Sequence, residues 1–405
     1  MACVTSAAVA ADAGQAPAWR TATFSAVSLR VPSTWPVWNL ARQPDLCPRL
    51  NVHAVYLGTP GPDPACPSAA AGKTEAVQIE PLNPQSPDVL DASTAATIGG
   101  RAAMTNSGDA ALTHTIVDVL PSAGVEVSLS YGSDPALIRQ IESTITIGAG
   151  ARSIPASTKT TAPAAAVPVP AAARHRVFLG DGFDTCAAPS TGAMQAWRAS
   201  RYRAVGIYIG GLNRACAQFD LSASWIRSIG RQGWYYFPIY LGREAPCASQ
   251  GGLASIEPSR AAPEGSFAAR DAVAQARHLG IPKGTPIIYD MEQYNGDIHD
   301  QCGSAVIRFL SHFDRGLLRA GYRSGVYESF SNVGDLTGSK RRMTEPSVIY
   351  YADWDGRPTV QSRYMPRHWW THDQRIHQYV GGVNETWRGV TMNIDRDRID
   401  TVLAR

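Results

Sequence analysis

Between residues 177 and 394 the chain repeats one pattern eight times: a short apolar or aromatic run, followed over most of the span by a stretch with helical spacing. The runs are 177–183, 205–209, 233–240, 285–291, 324–329, 347–352, 375–380 and 390–394, and helical spacing fits 190–198, 222–231, 266–279 and 304–320. Strands that alternate with helices pack as parallel βαβ units, and several runs are apolar throughout, as strands covered on both faces are. Eight units in roughly 230 residues is the count that closes a (β/α)8 TIM barrel. The connections after the fifth to seventh runs are short, which predicts abbreviated helices there.

The rest of the chain has a different rhythm. Residues 148–175 are rich in Pro and Ala, with no apolar period, and read as a semi-extended linker. It separates a C-terminal barrel, 176–405, from an N-terminal domain, 16–147. In the latter, strand-like runs fall at 27–32, 52–57, 75–80, 113–120 and 125–131, with a hairpin turn at 121–124. A closing helix fits 135–145, with Asp134 as its cap. The fold class expected is therefore α/β, a TIM barrel preceded by a smaller α+β domain. The Val31-Pro32-Ser33-Thr34-Trp35 segment and the closing helix resemble the photosystem-protein-like (PsbP/Mog1) fold. Asp45 and His53 stand alone in this half and read as surface groups.

Composition narrows the function classes. The net charge of +3 on 405 residues is too small to indicate nucleic-acid binding. No apolar run approaches the ~18–20 residues of a membrane span. Four of the 37 basic residues are Lys, an Arg excess that with many Ala and Pro reads as a GC-rich bacterial genome. Residues 1–15 read as a signal-peptide remnant, since Ala8-Val9-Ala10 has the A-x-A form that signal peptidase cuts; a disordered Ala-rich terminus is the alternative. Cleavage there removes Cys3, otherwise a lipid-anchor position, and leaves six cysteines, an even number suited to an oxidising compartment. The pairing expected is Cys47–Cys66, Cys186–Cys216 and Cys247–Cys302, although sequence alone leaves connectivity open. None has metal-ligand spacing, and His368 and His372 lack a third ligand, so no metal is expected. Gly210-Gly211 is a turn without the helix entry of a phosphate loop.

In such barrels the active site lies at the C-terminal ends of the strands. The ends here read Gly182-Phe183-Asp184, Tyr289-Asp290-Met291-Glu292, Tyr327-Glu328, Ala352-Asp353-Trp354, His377-Gln378-Tyr379 and Asn393-Ile394-Asp395. Acids, amides and aromatics collect on one rim, the composition of a sugar site. Asp290 and Glu292 lie two apart and so share a strand face. Glycoside hydrolysis needs such a pair, one carboxyl protonated to donate to the leaving oxygen and one ionised at the oxocarbenium-like centre. Mutual repulsion and burial can split their pKa values and assign the roles. Asp353, Trp354, Gln378, Tyr379, Tyr240, Tyr208 and Tyr327 are the candidate sugar contacts, with Tyr289 a further mouth candidate. His368-Trp369-Trp370 is either a stacking lip or a buried cover.

These residues resemble glycoside hydrolase family 25, the lysozyme-type muramidases. The start "GFDTCAAPS", with "VGIYIGG" and "GWYYFPIYLG", is closer to an actinobacterial glycoside-hydrolase-like domain of unknown function. The resemblance covers 177–405. It implies a TIM barrel, export to the cell envelope and a peptidoglycan or other envelope polysaccharide as ligand, with no cofactor. It also implies Glu292 as general acid, Asp290 as the group that positions or stabilises a reacting acetamido group, and Asp184 and Asp395 as support. His377-Gln378-Tyr379 departs from the "WQY" strand of the muramidases.

Two other classes compete with an enzyme. A degenerate barrel could bind a wall glycan without cutting it, helped by the +8 charge of residues 151–405. A scaffold could carry a vestigial barrel plugged by its own loops. Carboxylates tied by Arg would favour the binder; a raised Glu292 beside an ionised Asp290 in an open cleft would favour hydrolysis. The oligomeric state is not legible.

Overall fold

The computed structural model describes residues 18–108, 110–148, 176–338, 344–362 and 365–405. The expected signal remnant, Cys3 and all of the expected linker but its first residue lie outside the described residues.

The N-terminal half forms two sheets. Strands β1 (Trp19–Phe24), β2 (Val27–Pro32), β3 (Val37–Asn39), β4 (Val55–Leu57) and β5 (Ala76–Pro81) precede helix α1 (Pro87–Asp91). Then follow β6 (Thr94–Ile98), β7 (Arg101–Thr105), α2 (Ala110–Thr113), β8 (Thr115–Leu120), β9 (Val125–Ser130), α3 (Ala136–Glu142) and β10 (Thr146–Ile147). Seven strands are ordered β3-β4-β5-β9-β8-β7-β6, and three form a separate sheet β1-β2-β10. Alternation drives the packing: Val27, Leu29 and Val31 of β2 point inward onto Ile138 and Ile141 of α3. The expected hairpin is present, with Leu120 paired to Val125. Asp134 accepts a hydrogen bond from the Ala136 N–H at 2.9 Å but stands one residue before the helix cap, which is Pro135.

The C-terminal half closes an eight-stranded barrel. Its strands are β11 (Arg176–Thr185), β12 (Ala204–Gly210), β13 (Tyr235–Tyr240), β14 (Pro286–Asp290), β15 (Arg323–Ser329), β16 (Val348–Ala352), β17 (Gln374–Trp387) and β18 (Val390–Leu403). Helices α4 (Thr191–Trp197), α5 (Ala223–Gln232), α6 (Ala261–His278), α7 (Gln301–Ala320) and α8 (Val333–Gly338) follow the first five. The side chains of Ser190, Ser222 and Asp300 accept N–H groups from the first turns of α4, α5 and α7, which fixes where those helices start. As expected, the helix after the fifth strand is short, and no helix among the described residues follows the sixth or seventh.

One direction differs from the parallel units expected. The eighth strand runs antiparallel to both neighbours, β17 and β11. The cause is local: Arg388 and Gly389, at φ 50° and 82°, make the two-residue turn with both residues left-handed that reverses a chain at once. A two-residue link leaves no room for the crossover that a parallel return needs.

Alternate residues of each strand fill the barrel, among them Phe237, Ile239, Ile288, Val348, Tyr350, Ile376 and Ile399. The others face the helices, where Trp197, Trp225, Trp234, Tyr289, Phe309 and Phe313 pack. The halves are joined by backbone bridges Arg49↔Cys216 and Ala71↔Arg214 and by an ion pair from Arg214 to Asp88 at 3.0 Å. Disulfides link Cys47–Cys66, Cys186–Cys216 and Cys247–Cys302, the pairing set out from the sequence. The first two lie side by side, with Cys47 Sγ 3.9 Å from Cys216 Sγ.

Candidate active site

Strand alternation decides which candidates meet. On β14, Ile288 lies inside the barrel, so Asp290 points into the mouth and is buried. On β11 the same parity aims Asp184 inward, opposite Gly206 of β12. A Cβ on Gly206 would come within 2.7 Å of the Asp184 Cβ, so this position has room only for glycine. On β18, Asp395 and Asp397 share the inward face with Ile399, and register sets Asp395 directly across from Asp184. The antiparallel strand thus presents its acid at mouth level from mid-strand, not from a C-terminal end. Glu292, two residues past Asp290 on a half-buried loop, completes the group.

Four candidate sugar contacts join these acids. Tyr208 and Tyr327 are half-buried, and both phenols are held well above their ordinary pKa, first by burial and then by the charges of Asp290, Asp184, Asp395 and Glu292. Gln378 is the hub: its Nε2 lies 3.2 Å from Asp184 Oδ2, 3.1 Å from the Tyr350 hydroxyl and 3.3 Å from Asp395 Oδ2. Its Oε1 accepts from the Tyr327 hydroxyl at 3.1 Å and from Trp354 Nε1 at 3.0 Å. Trp354 is 64% exposed, an aromatic face turned to solvent at the rim.

The remaining candidates point elsewhere. Tyr240 and Tyr379 have the outward parity of β13 and β17. The Tyr240 hydroxyl donates to Asp271 in the helix layer at 2.7 Å, and that of Tyr379 lies 2.6 Å from Arg201 Nη2. Tyr289 also faces outward, donating to the Arg243 carbonyl at 2.7 Å. Glu328 is buried on the outer face of β15. Asp353 is half-buried beside Ser362 at 3.3 Å, adjacent to the rim through its neighbour Trp354. Trp370 is buried with its indole N–H on the Pro346 carbonyl at 2.8 Å, so Trp370 belongs to a cover and not to a stacking lip.

Three groups were not foreseen. Glu244, in the loop after β13, accepts the Glu292 N–H on Oε2 at 2.7 Å and thereby fixes the backbone of the loop. Tyr350 holds the floor, its hydroxyl 2.5 Å from Asp184 Oδ2 and 2.8 Å from Asp397 Oδ1. Ser68 reaches over from the N-terminal half, its hydroxyl donating to Asp395 Oδ1 at 2.7 Å. An acid just beyond a strand end was a readable signal for Glu244; the Ser68 contact, 327 residues apart in sequence, had none.

The electrostatics follow from burial. Asp184, Asp290 and Glu244 are pushed well above the carboxylate range by desolvation first and by neighbouring acids second. Glu292 is raised by burial and then by Asp395. Asp290 is raised as well, although a hydrogen bond from Tyr208 pulls the other way. Two carboxyls that repel in a partly dry site lose their protons in succession, as a pair. Among the described residues no Arg, Lys or His contacts Asp184, Asp290, Glu292 or Asp395 through a hydrogen bond or ion pair. The mouth therefore favours the protonated form of these acids more than water does, and among the described residues no cation in it would recruit an anion.

A family model described as "Rv2525c-like, glycoside hydrolase-like domain" matches residues 195–399. No curated protein matches the chain. Among solved structures, an uncharacterized protein of B. stearothermophilus is 21% identical, covering 54% of this chain and 95% of that one at a TM-score of 0.38. The modular autolysin LytC of Streptococcus pneumoniae is 13% identical over 55% of this chain and 46% of its own, at 0.36. A family GH25 lysozyme from Aspergillus fumigatus is 16% identical over 55% of this chain and 94% of its own, at 0.34.

Proposed function

The chain belongs to the Rv2525c-like, glycoside hydrolase-like family, and we propose that it hydrolyses glycosidic bonds of peptidoglycan or a related envelope glycan outside the cytoplasm. The observation that carries the reading is the meeting of Asp290, Glu292, Asp184 and Asp395 at one barrel mouth, with raised carboxyls and no cation among them. Three disulfides support an oxidising compartment.

In this reading Glu292 is the general acid. It is the more accessible of the pair, and its carboxyl has no hydrogen-bond partner among the described residues. A sugar acetamido N–H donating to Asp290 would favour the ionised form of that carboxyl and leave the shared proton on Glu292, where the leaving oxygen needs it. Asp290 then stabilises the acetamido group as it reacts. Tyr208, Tyr327 and the exposed face of Trp354 supply stacking and hydroxyl contacts.

A second reading, a wall-glycan binder that does not cut, is favoured by one observation: Asp184 and Asp395 are already engaged by Tyr350, Gln378, Ser68 and the Gly382 N–H. Release of reducing ends from purified peptidoglycan separates the two. The expected result is release by the parent protein and a loss of at least about 100-fold in Glu292→Gln at unchanged fold. No release from either, with both still sedimenting with the polymer, leaves the binder.

A further inference from the structure

Beyond Asp395 the inward face of β18 continues outward through Asn393 and Thr391, because alternate residues share a face. Register places Asn384 and Thr386 of β17 beside them. Both rungs are closed by hydrogen bonds, Asn393 Nδ2 to Asn384 Oδ1 and Thr386 to Thr391 through their hydroxyls, each at 2.7 Å. This polar ribbon faces the loop of the N-terminal half that carries the Cys47–Cys66 disulfide. Between ribbon and loop lies a cleft of ≈ 410 Å³, lined by Asp45, Asp63, Pro67, Asn384, Thr391 and Asn393 among others. That volume falls within the roughly 300–1,000 Å³ of small-ligand sites.

The lining selects a ligand class. Asp45 and Asp63 bring acceptors only, and neither carboxylate has a hydrogen-bond or ion-pair partner among the described residues. Asp63 is raised by burial first and by the charge of Asp45 second. The ribbon opposite brings amides and a hydroxyl, which donate and accept. Among the described residues no cationic side chain lines the cleft, so an anion finds no partner there, whereas a run of sugar hydroxyls and amides is matched from both sides. Ser68 joins this space to the mouth: its N–H donates to Asn393 Oδ1 at 2.8 Å and its hydroxyl to Asp395 Oδ1 at 2.7 Å.

We propose that this interdomain cleft is a saccharide subsite continuous with the carboxylate mouth, so that the N-terminal half is one wall of the substrate groove. The proposal rests on the glycan reading above. It assigns Asp63, Asn384 and Thr391 to binding and not to the bond-breaking step.

The test uses the full chain carrying Glu292→Gln, so that binding is measured without turnover, and a ladder of soluble β-1,4-linked N-acetylglucosamine oligomers from di- to hexasaccharide. Calorimetry should show affinity rising with length by about tenfold or more, and Asp63→Ala combined with Asn384→Ala should abolish that rise while leaving the disaccharide affinity unchanged. In the Glu292 background the same pair should raise KM on peptidoglycan with kcat retained. Affinity that does not depend on length, or a rise that survives both substitutions, overturns the subsite and leaves the glycosidase reading standing. No binding of any oligomer together with no release of reducing ends overturns both. The substituted side chains are half-buried or exposed, and an unchanged melting temperature excludes misfolding as the cause.

Discussion

Asp184 and Asp395 face each other directly across the antiparallel pair of β11 and β18. Like charges opposite one another in a sheet are destabilising, and burial adds to the penalty. The Asp395 charge also raises Glu292. Replacing Asp395 with Asn keeps an acceptor for Ser68 and removes that charge, so Glu292 should lose its proton at lower pH. The alkaline limb of the pH profile for reducing-end release is expected to move down in Asp395→Asn, with a lower maximum rate. A limb that moves up would contradict the assignment of Glu292 as the acid.

The Tyr350 hydroxyl lies between Asp184 and Asp397 but has one proton to give. If it donates to one carboxylate, the other contact is a hydrogen bond only when that carboxyl is itself protonated. Burial raises both acids, Asp184 and Asp397, in line with a proton retained on one of them. Asp397→Asn, whose amide can donate in place of that proton, should cost less than about 1 kcal/mol in urea unfolding at neutral pH. Tyr350→Phe leaves Asp184 with Gln378 as its remaining donor and removes the hydroxyl beside buried Asp397, and should cost about 1–3 kcal/mol. Equal losses from the two substitutions would count against the shared proton.

Trp354 packs over Gly381, where a Cβ would lie 2.3 Å from the indole, and leaves its outer face open. An exposed indole beside an amide hub is a stacking platform for a pyranose. Trp354→Ala should weaken binding of the hexasaccharide by about tenfold, with little change in melting temperature because so little of the ring is buried. Titration by intrinsic fluorescence and a thermal melt read both quantities.

Asp118 is fully buried on β8, and burial pushes its carboxyl up to about 7. A carboxyl raised in the folded state favours folding below its ordinary range, near pH 4, and this contribution is lost as pH rises through about 7. Asp118→Asn cannot ionise. It should therefore melt close to the parent at pH 4 and higher than the parent at pH 8, by an amount bounded at roughly 4 kcal/mol. Parallel melting curves across that range would refute the assignment.

The barrel was legible because strands covered on both faces must be apolar, and eight such runs stand out between polar turns. Strand direction was not legible, since an apolar run reads the same both ways. The turn at Arg388-Gly389 did carry the signal, a short Gly-containing link between two β-type runs. Asp184, Asp290 and Gln378 lie at the mouth because each sits near the end of a run with inward parity, whereas Tyr240 and Tyr379 face away from it: aromatics on either face of a barrel strand look alike in sequence, and only the neighbouring Ile239 and Gln378 reveal which side is inside. In the N-terminal half, β6 and β7 were missed because Thr-Ala-Ala-Thr-Ile and Arg-Ala-Ala-Met-Thr lack the bulky alternation that marks a strand. Glu244 and Ser68 act from loops, where no period exists to read.

The reversed last strand also links closure of the barrel to completion of the carboxylate cluster. β18 both seals the barrel, between β17 and β11, and carries Asp395 and Asp397 to the mouth. Without β18 the sheet has two open edges, on β11 and β17, and the mouth lacks Asp395. The same strand therefore both completes the hydrogen-bonded ring and sets Asp395 opposite Asp184.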